Sequence, residues 1–285
     1  MRLLRQVVLF CYVLPILGAD SALIASLSGN VTAQVPHGKQ APVSRLDWLP
    51  AGTVLQSNAK SSVTVLLSNG RRFELGPAAS ATIGPTGLSN ITGSARELDP
   101  LPPIPKPAPL AMATDTVAVT RFRGGGKIAE LCPRQGMAAL AGSAKLSFQK
   151  VDGAVAYQIV LEDENGDQIV EQQSVSTEIA VPLLKPASHY SWRVRALGAA
   201  GVIAEDQAGF LTLSDEQTQT RQAFASGVRK AMEPAAALAL LAEVDFESGL
   251  VREAIDGLQA ALRLAPQDAA IKRDLDRVQA ALAGK

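Results

Sequence analysis

The side chains able to do chemistry are few, and their spacing does not group them. The sequence holds two histidines, His37 and His189, and two cysteines, Cys11 and Cys132. No pair of them has the spacing of a zinc site. The Gly-x-Ser-x-Gly elbow of a hydrolase is absent from the sequence. The run Arg123-Gly124-Gly125-Gly126-Lys127-Ile128 invites a phosphate-loop reading. That reading fails because Arg121 stands where the first glycine belongs and Ile128 replaces the Ser or Thr that would ligate magnesium. A flexible basic loop between domains is the reading it leaves. Asp163-Glu164-Asn165-Gly166-Asp167 opens like a calcium loop. Gln168 then occupies the position that needs Gly, and Ser174 the one that needs Glu. It reads better as a hairpin turn. A carboxylate pair acting as acid and base has its geometry set by the fold, so the sequence leaves that possibility open. On these residues the chain is expected not to be an enzyme. No catalytic, cofactor-binding or metal-ligating residue is assigned, no cofactor is expected, and ligand-binding residues are not identifiable.

The elements around these residues are bounded by composition. A length of 285 residues allows two or three modest domains with cores of their own. Charged residues make up 19% and sum to zero net charge, with no long basic run, so nucleic acid is not an expected partner. Alanine clusters in the last third, which points to helices there.

The N-terminus reads as an export signal over 1–19. Arg2 and Arg5 precede an apolar run from Val7 to Leu17, and the small residues Gly18 and Ala19 follow. That order predicts cleavage near Ala19 and a mature start between Asp20 and Leu23. The run is about half of what a bilayer span requires, so no stable transmembrane anchor is expected after cleavage. Phe10 before Cys11 is too bulky for a lipoprotein processing site. Cys132 would then be the sole mature cysteine, unable to form an internal disulfide and read as a small buried or loop residue. The expected location is periplasmic or secreted.

From Ala22 to Leu98 short strands alternate with Gly, Asn and Pro. One hairpin can be argued closely. A three-residue loop ending in Gly70 sets Val65 opposite Phe73 and Val63 opposite Leu75, which puts four apolar residues on one face. The two-residue alternative would set Val65 opposite Glu74. The run Leu46-Asp47-Trp48-Leu49-Pro50-Ala51-Gly52-Thr53-Val54-Leu55-Gln56-Ser57, continued by Ser61 to Pro77, resembles a FecR-like domain, as does the upstream Ser28-Gly29-Asn30-Val31. The resemblance covers Ala22 to Ile83 and implies a small extracytoplasmic β domain over 22–98. The family's founding members relay signals through a membrane helix and a cytoplasmic segment, and no such segment is read here.

Asp99 to Leu110 is proline-rich, so 99–115 is expected to be a semi-rigid spacer, partly polyproline II. Strands dominate again over 116–213. Tyr157, Ile159 and Leu161 alternate as in a half-buried strand. Leu184-Lys185-Pro186 and Tyr190, Val194 and Ala196 resemble the Leu-x-Pro-x-x-x-Tyr-x-x-x-Val-x-Ala signature of fibronectin type III domains. The resemblance implies a β-sandwich with Tyr190 as its corner tyrosine, and with Tyr190, Trp192, Val194 and Ala196 on one face. His189 is expected as an exposed strand residue.

Residues 214–285 read as helical. Ser214-Asp215-Glu216-Gln217 is a helix-start signature. Leu241, Ala242, Gly249, Ala254, Ala261, Leu262 and Pro266 resemble one tetratricopeptide repeat, with Asp245 where its aromatic residue belongs and Phe246 one place later. The pattern predicts helices over 234–248 and 251–264 and a capping helix over 268–282. A single repeat cannot bury its own apolar faces. Leu240, Leu241, Val244, Leu258, Leu262, Leu264, Leu275 and Leu282 therefore call for a partner, the sandwich or a second copy.

The whole reads as mostly β with an α-helical C-terminus. The expected function is an exported envelope protein that binds or scaffolds a partner protein or cell-wall polymer. The alternative is a FecR-type signalling accessory that reports envelope state to a membrane partner.

Overall fold

The computed structural model describes residues 21–106 and 126–283. The export signal expected over 1–19, Cys11, the proline-rich run after Lys106 and Arg123 to Gly125 lie outside the described residues. The chain is mostly β with four C-terminal helices. It divides into two compact units, Met1–Asp99 and Pro100–Lys285.

In the first unit the strands are β1 (Ser21–Ser28), β2 (Val31–Gln34), β3 (Gln40–Pro42), β4 (Trp48–Pro50) and β5 (Val54–Ser57). They are followed by β6 (Ser62–Leu67), β7 (Arg72–Leu75), β8 (Ser80–Ile83), β9 (Leu88–Thr92) and β10 (Ala95–Leu98). They form two five-stranded sheets, ordered β10-β7-β6-β1-β4 and β3-β2-β5-β8-β9. Ile24, Val65 and Leu75 from the first sheet and Val31, Leu55 and Ile83 from the second share one core. The β6–β7 hairpin has the expected register, with Val65 opposite Phe73 and Val63 opposite Leu75. Gly70 turns the chain at φ 88°, a left-handed angle that costs glycine nothing. Polar groups that enter this core are capped. The buried Ser57 hydroxyl donates to the Gly76 carbonyl and accepts from the Ala79 N–H.

The second unit holds β11 (Ala138–Ala139), β12 (Lys145–Ser147), β13 (Ala156–Asp163), β14 (Gln168–Ser174), β15 (Glu178–Ala180), β16 (His189–Gly198) and β17 (Gly201–Thr212). One sheet runs β11-β17-β16-β13-β14 and the other pairs β12 with β15. Together they make a fibronectin III-like β-sandwich. The alternation read in the sequence is the alternation of burial, and Tyr190, Trp192, Val194 and Ala196 all face inward. The Tyr190 hydroxyl accepts the Lys185 N–H at 2.8 Å, the corner bond expected of it. Trp192 Nε1 donates to the Pro133 carbonyl at 2.8 Å, so the indole's polar edge is satisfied inside the core. Asp163 to Asp167 is a hairpin turn whose Asp163 carboxylate accepts the N–H groups of Asn165 and Asp167. His189 is exposed on β16.

Residues 126–128 correct one expectation. They are not a free loop. The Gly126 N–H donates to Ile203 and its carbonyl accepts from Glu205, which fixes it along β17, and Ile128 is buried in the sandwich core. The signal was Ile128 itself, an aliphatic residue too costly to leave in water. The proline-rich run also behaves differently over its described part. From Leu101 to Lys106 burial repeats every third residue, with Leu101 and Ile104 inside. This stretch is therefore packed against the second unit rather than suspended between units.

The helices are α1 (Asp215–Ala231), α2 (Pro234–Glu247), α3 (Val251–Leu264) and α4 (Ala269–Ala283). Ser214 and Gln217 form the reciprocal capping box that starts α1. Small residues set the spacing of α2 and α3: Ala242, Ala254 and Ala261 are buried, and a methyl on Gly257 would stand 3.0 Å from the Ala242 Cβ. The helices dock on the sandwich. The Ala138 N–H donates to the Gly249 carbonyl at 2.9 Å, and Leu250 packs with Ala138 and Leu213. Arg134 donates to the Ala281 carbonyl near the end of α4. Of the eight aliphatic residues expected to need cover, Leu240, Leu241, Val244 and Leu258 are buried, while Leu264 remains 58% exposed.

Candidate functional site

One grouping of charged side chains in the second unit lies along the first turns of α3. Arg252, Glu253 and Asp256 sit there, and two clefts meet at them. One, of about 190 Å³, lies between α3 and the sandwich and is lined by Cys132, Pro133, Ser143, Lys145 and Arg252 among others. The second, of about 220 Å³, lies between α1, α2 and α3. Glu253 and Asp256 line both.

The cleft among the helices has an apolar floor of Phe224, Leu238, Leu241 and Val244. Its charged wall is built around Asp245. That residue lies near the end of α2, one place before Phe246, and it is buried. A buried carboxylate needs a cation, and Arg221 of α1 supplies it as a fork: Nε and one terminal nitrogen reach the two carboxylate oxygens at 2.6 and 2.7 Å. Burial nevertheless raises the Asp245 carboxyl above the ordinary range, with Arg221 acting against it. Glu253 is pushed up to about 7, first by burial and then by the neighbouring charge of Asp245, despite help from its own backbone N–H. Arg229 opens onto the same cleft from the exposed side of α1. The site thus presents cations and carboxylates over an aliphatic and aromatic floor, which suits a polypeptide segment with mixed side chains.

The cleft beside the sandwich is built differently. Glu178 on β15 accepts from Lys145 of β12 at 2.9 Å and pairs with Arg252 of α3. Its carboxyl is held low, chiefly by the Lys145 hydrogen bond. This is a clasp between helix and sheet. Cys132 is buried beside it, and its thiol is pushed up to about 12 by burial, so it has no thiolate to offer as a nucleophile near neutrality. Among the described residues no group of three or more His, Cys, Asp or Glu side chains is placed to hold a metal ion.

Sequence reading assigned no site residue, and the cleft residues Arg221, Arg229, Glu253 and Asp256 were missed. One signal pointed to them. Asp245 follows the run Ala235 to Val244, apolar except for Glu243, at the place where the repeat pattern has an aromatic residue, and an acid inside a helix–helix contact requires a cation from a neighbouring helix.

No family model matches the chain, and no curated protein matches it. Among solved structures, it is similar to the sixth fibronectin type III domain from human fibronectin type III domain containing protein 3. That similarity is at 15% identity and TM-score 0.27, over 34% of this chain and 92% of that one. It is similar to the FN5 domain of Drosophila Lar at 18% identity and TM-score 0.25, over 32% of this chain and 98% of that one. CopC from Methylosinus trichosporium OB3b is similar at 21% identity and TM-score 0.22, over 28% of this chain and 84% of that one.

Proposed function

We propose that this chain is an exported, non-catalytic binding or scaffold protein of the cell envelope, and that the cleft between α1, α2 and α3 takes a segment of a partner protein. The observation that carries this is the composition of the cleft. Leu238, Leu241 and Phe224 form an apolar floor, and Arg229, Arg221, Glu253 and Asp256 surround it. A surface that alternates in this way rewards shape and charge order, and a peptide supplies both. Export is supported by the arginines, apolar run and small residues of the N-terminus. Among the described residues no helix is long and apolar enough to cross a membrane. The ordered turns of Ala22 to Ile83 support a FecR-like module, and the paired helices α2 and α3 support a tetratricopeptide-like one.

The test is crosslinking in cells from a photoreactive residue in place of Leu238, read by mass spectrometry. One protein species should be captured repeatedly, and Arg229→Glu should reduce that capture at least tenfold while the helical circular dichroism is unchanged. Capture that ignores Arg229→Glu, or glycan adducts alone, would overturn the protein-partner reading. Release of product from cell-wall fragments by the purified chain would overturn the non-catalytic one.

A further inference from the structure

The segment Leu101-Pro102-Pro103-Ile104-Pro105-Lys106 shows burial with a period of three. Leu101 and Ile104 are inside at 6% and 8% exposure, Pro102 and Pro105 are half-buried, and Pro103 and Lys106 are exposed. A polyproline II helix has about three residues per turn, so its i and i+3 side chains share one edge. The strap therefore presents two branched aliphatic side chains along a single edge, keeps Pro102 and Pro105 at the margin of the contact and turns Pro103 and Lys106 outward.

Its seat is α1. A methyl on Gly227 would stand 2.5 Å from Pro102 Cδ, 3.3 Å from Pro102 Cγ and 3.6 Å from Leu101 Cδ2. Gly227 lies inside a seventeen-residue helix, one turn before its last residue Ala231, where glycine is disfavoured. What it permits there is the close approach of an extended chain. Phe224 and Val228 on either side of it are fully buried. The strap has four prolines between Pro100 and Pro105, each without an N–H. Among the described residues no backbone hydrogen bond ties 100–106 to α1 or to the sandwich. Side-chain burial holds the strap, so it can lift without breaking a hydrogen-bond ladder.

We propose that the face of α1 around Gly227 is a docking site for extended, proline-containing segments with branched aliphatic residues three apart. Leu101–Ile104 is its internal occupant, and a partner segment of the same pattern displaces it. This surface adjoins the cleft between α1, α2 and α3 at Phe224, but Gly227 does not line that cleft. Its test does not depend on the outcome of Arg229→Glu.

The probe is a fluorescent peptide of residues 99–106, Asp-Pro-Leu-Pro-Pro-Ile-Pro-Lys, added to the full chain and followed by anisotropy. The variant Leu101→Ser/Ile104→Ser, with its own strap disabled, should bind the peptide at least tenfold more tightly than the unaltered chain. Adding Gly227→Val to that variant should abolish the gain. If the strap-disabled protein keeps its helical circular dichroism and binds no more tightly, or if Gly227→Val leaves binding intact, the proposal is overturned. A second measurement covers failure of that variant to fold. A polarity-sensitive dye on Lys106→Cys, an exposed position, reports the strap in an otherwise unaltered chain. Excess unlabelled peptide should shift its emission toward that of a solvent-exposed dye, and an unchanged spectrum overturns displacement.

Discussion

The two units treat charge in opposite ways. In the first, the ion pairs are superficial: Arg71–Glu97 and Arg96–Glu74 keep a third or more of each side chain in water. The polar groups that enter its core are hydroxyls, such as Thr53 and Ser57, tied to nearby carbonyls, and the buried Arg72, which donates to the Asp99 carbonyl. In the helical part of the second unit, Glu243, Asp245 and Asp274 are buried carboxylates. Arg221 serves Asp245 and Arg277 serves Glu243, with the Arg277 guanidinium also lying 4.8 Å over the Phe246 ring. A hydroxyl satisfied by a carbonyl imposes little beyond its own bond. A buried carboxylate costs desolvation and demands one particular cation, so it fixes which helix lies beside which. The first unit is specified by strand register and the helices of the second by ion pairs among them.

The sharpest break of this contrast is Ala254→Arg. Ala254 is fully buried in α3, where it faces α2, and there is no room for a guanidinium. The cost is on the order of 4 kcal/mol or more. Helical ellipticity should fall while the β signal of the first unit stays. A full helical signal would place Ala254 at the surface and refute the register of α2 on α3.

Arg221→Ala comes next. It leaves Asp245 buried without its fork, at about 3–5 kcal/mol. The paired Arg221→Met/Asp245→Leu should recover most of that loss, as an apolar pair of similar volume does. The corresponding truncation in the first unit, Arg71→Ala, should leave the melting temperature within experimental scatter, since that pair is exposed. Equal losses at the two sites, measured by thermal melts of the full chain, would erase the distinction.

The smallest effect is read from pH. The Glu253 carboxyl is pushed up to about 7 from the ordinary 4.5, so the folded chain binds the extra proton between those values. Stability from this group is full below about pH 4.5 and is lost as pH rises through 7. Glu243 is pushed up to about 7 as well, chiefly by burial. Glu253→Gln should therefore remove part of the decline in stability between pH 5 and 7.5, a difference on the order of 2 kcal/mol, with the Glu243 part remaining. A profile parallel to that of the unaltered chain would show that Glu253 ionises freely.

Much of the fold was legible because its signals were local. Asn69-Gly70 and the alternation around it set the β6–β7 register, and Ser214 with Gln217 marked the start of α1. Tyr190 declared its corner through a spacing of a few residues. The edge strands β9 and β10, which close different sheets, were harder to read, since Leu88 and Ala95 are the residues they pack against the core and the rest of β9 is exposed. The strap was read as a spacer because proline-rich composition describes chain stiffness and says nothing of what lies 125 residues further on. The cleft was invisible for a similar reason: Arg221 and Asp245 are 24 residues apart and meet through helix packing.

The contact between Pro102 and Gly227 also constrains the order in which this sequence can change. While Pro102 occupies its seat, any side chain at Gly227 clashes with it, although alanine would otherwise raise helix propensity by about 1 kcal/mol. Once the strap is lost or its proline replaced by something smaller, the same substitution turns from harmful to favourable. A lineage that abandons the strap can fill the helix afterwards, and doing so closes the route back.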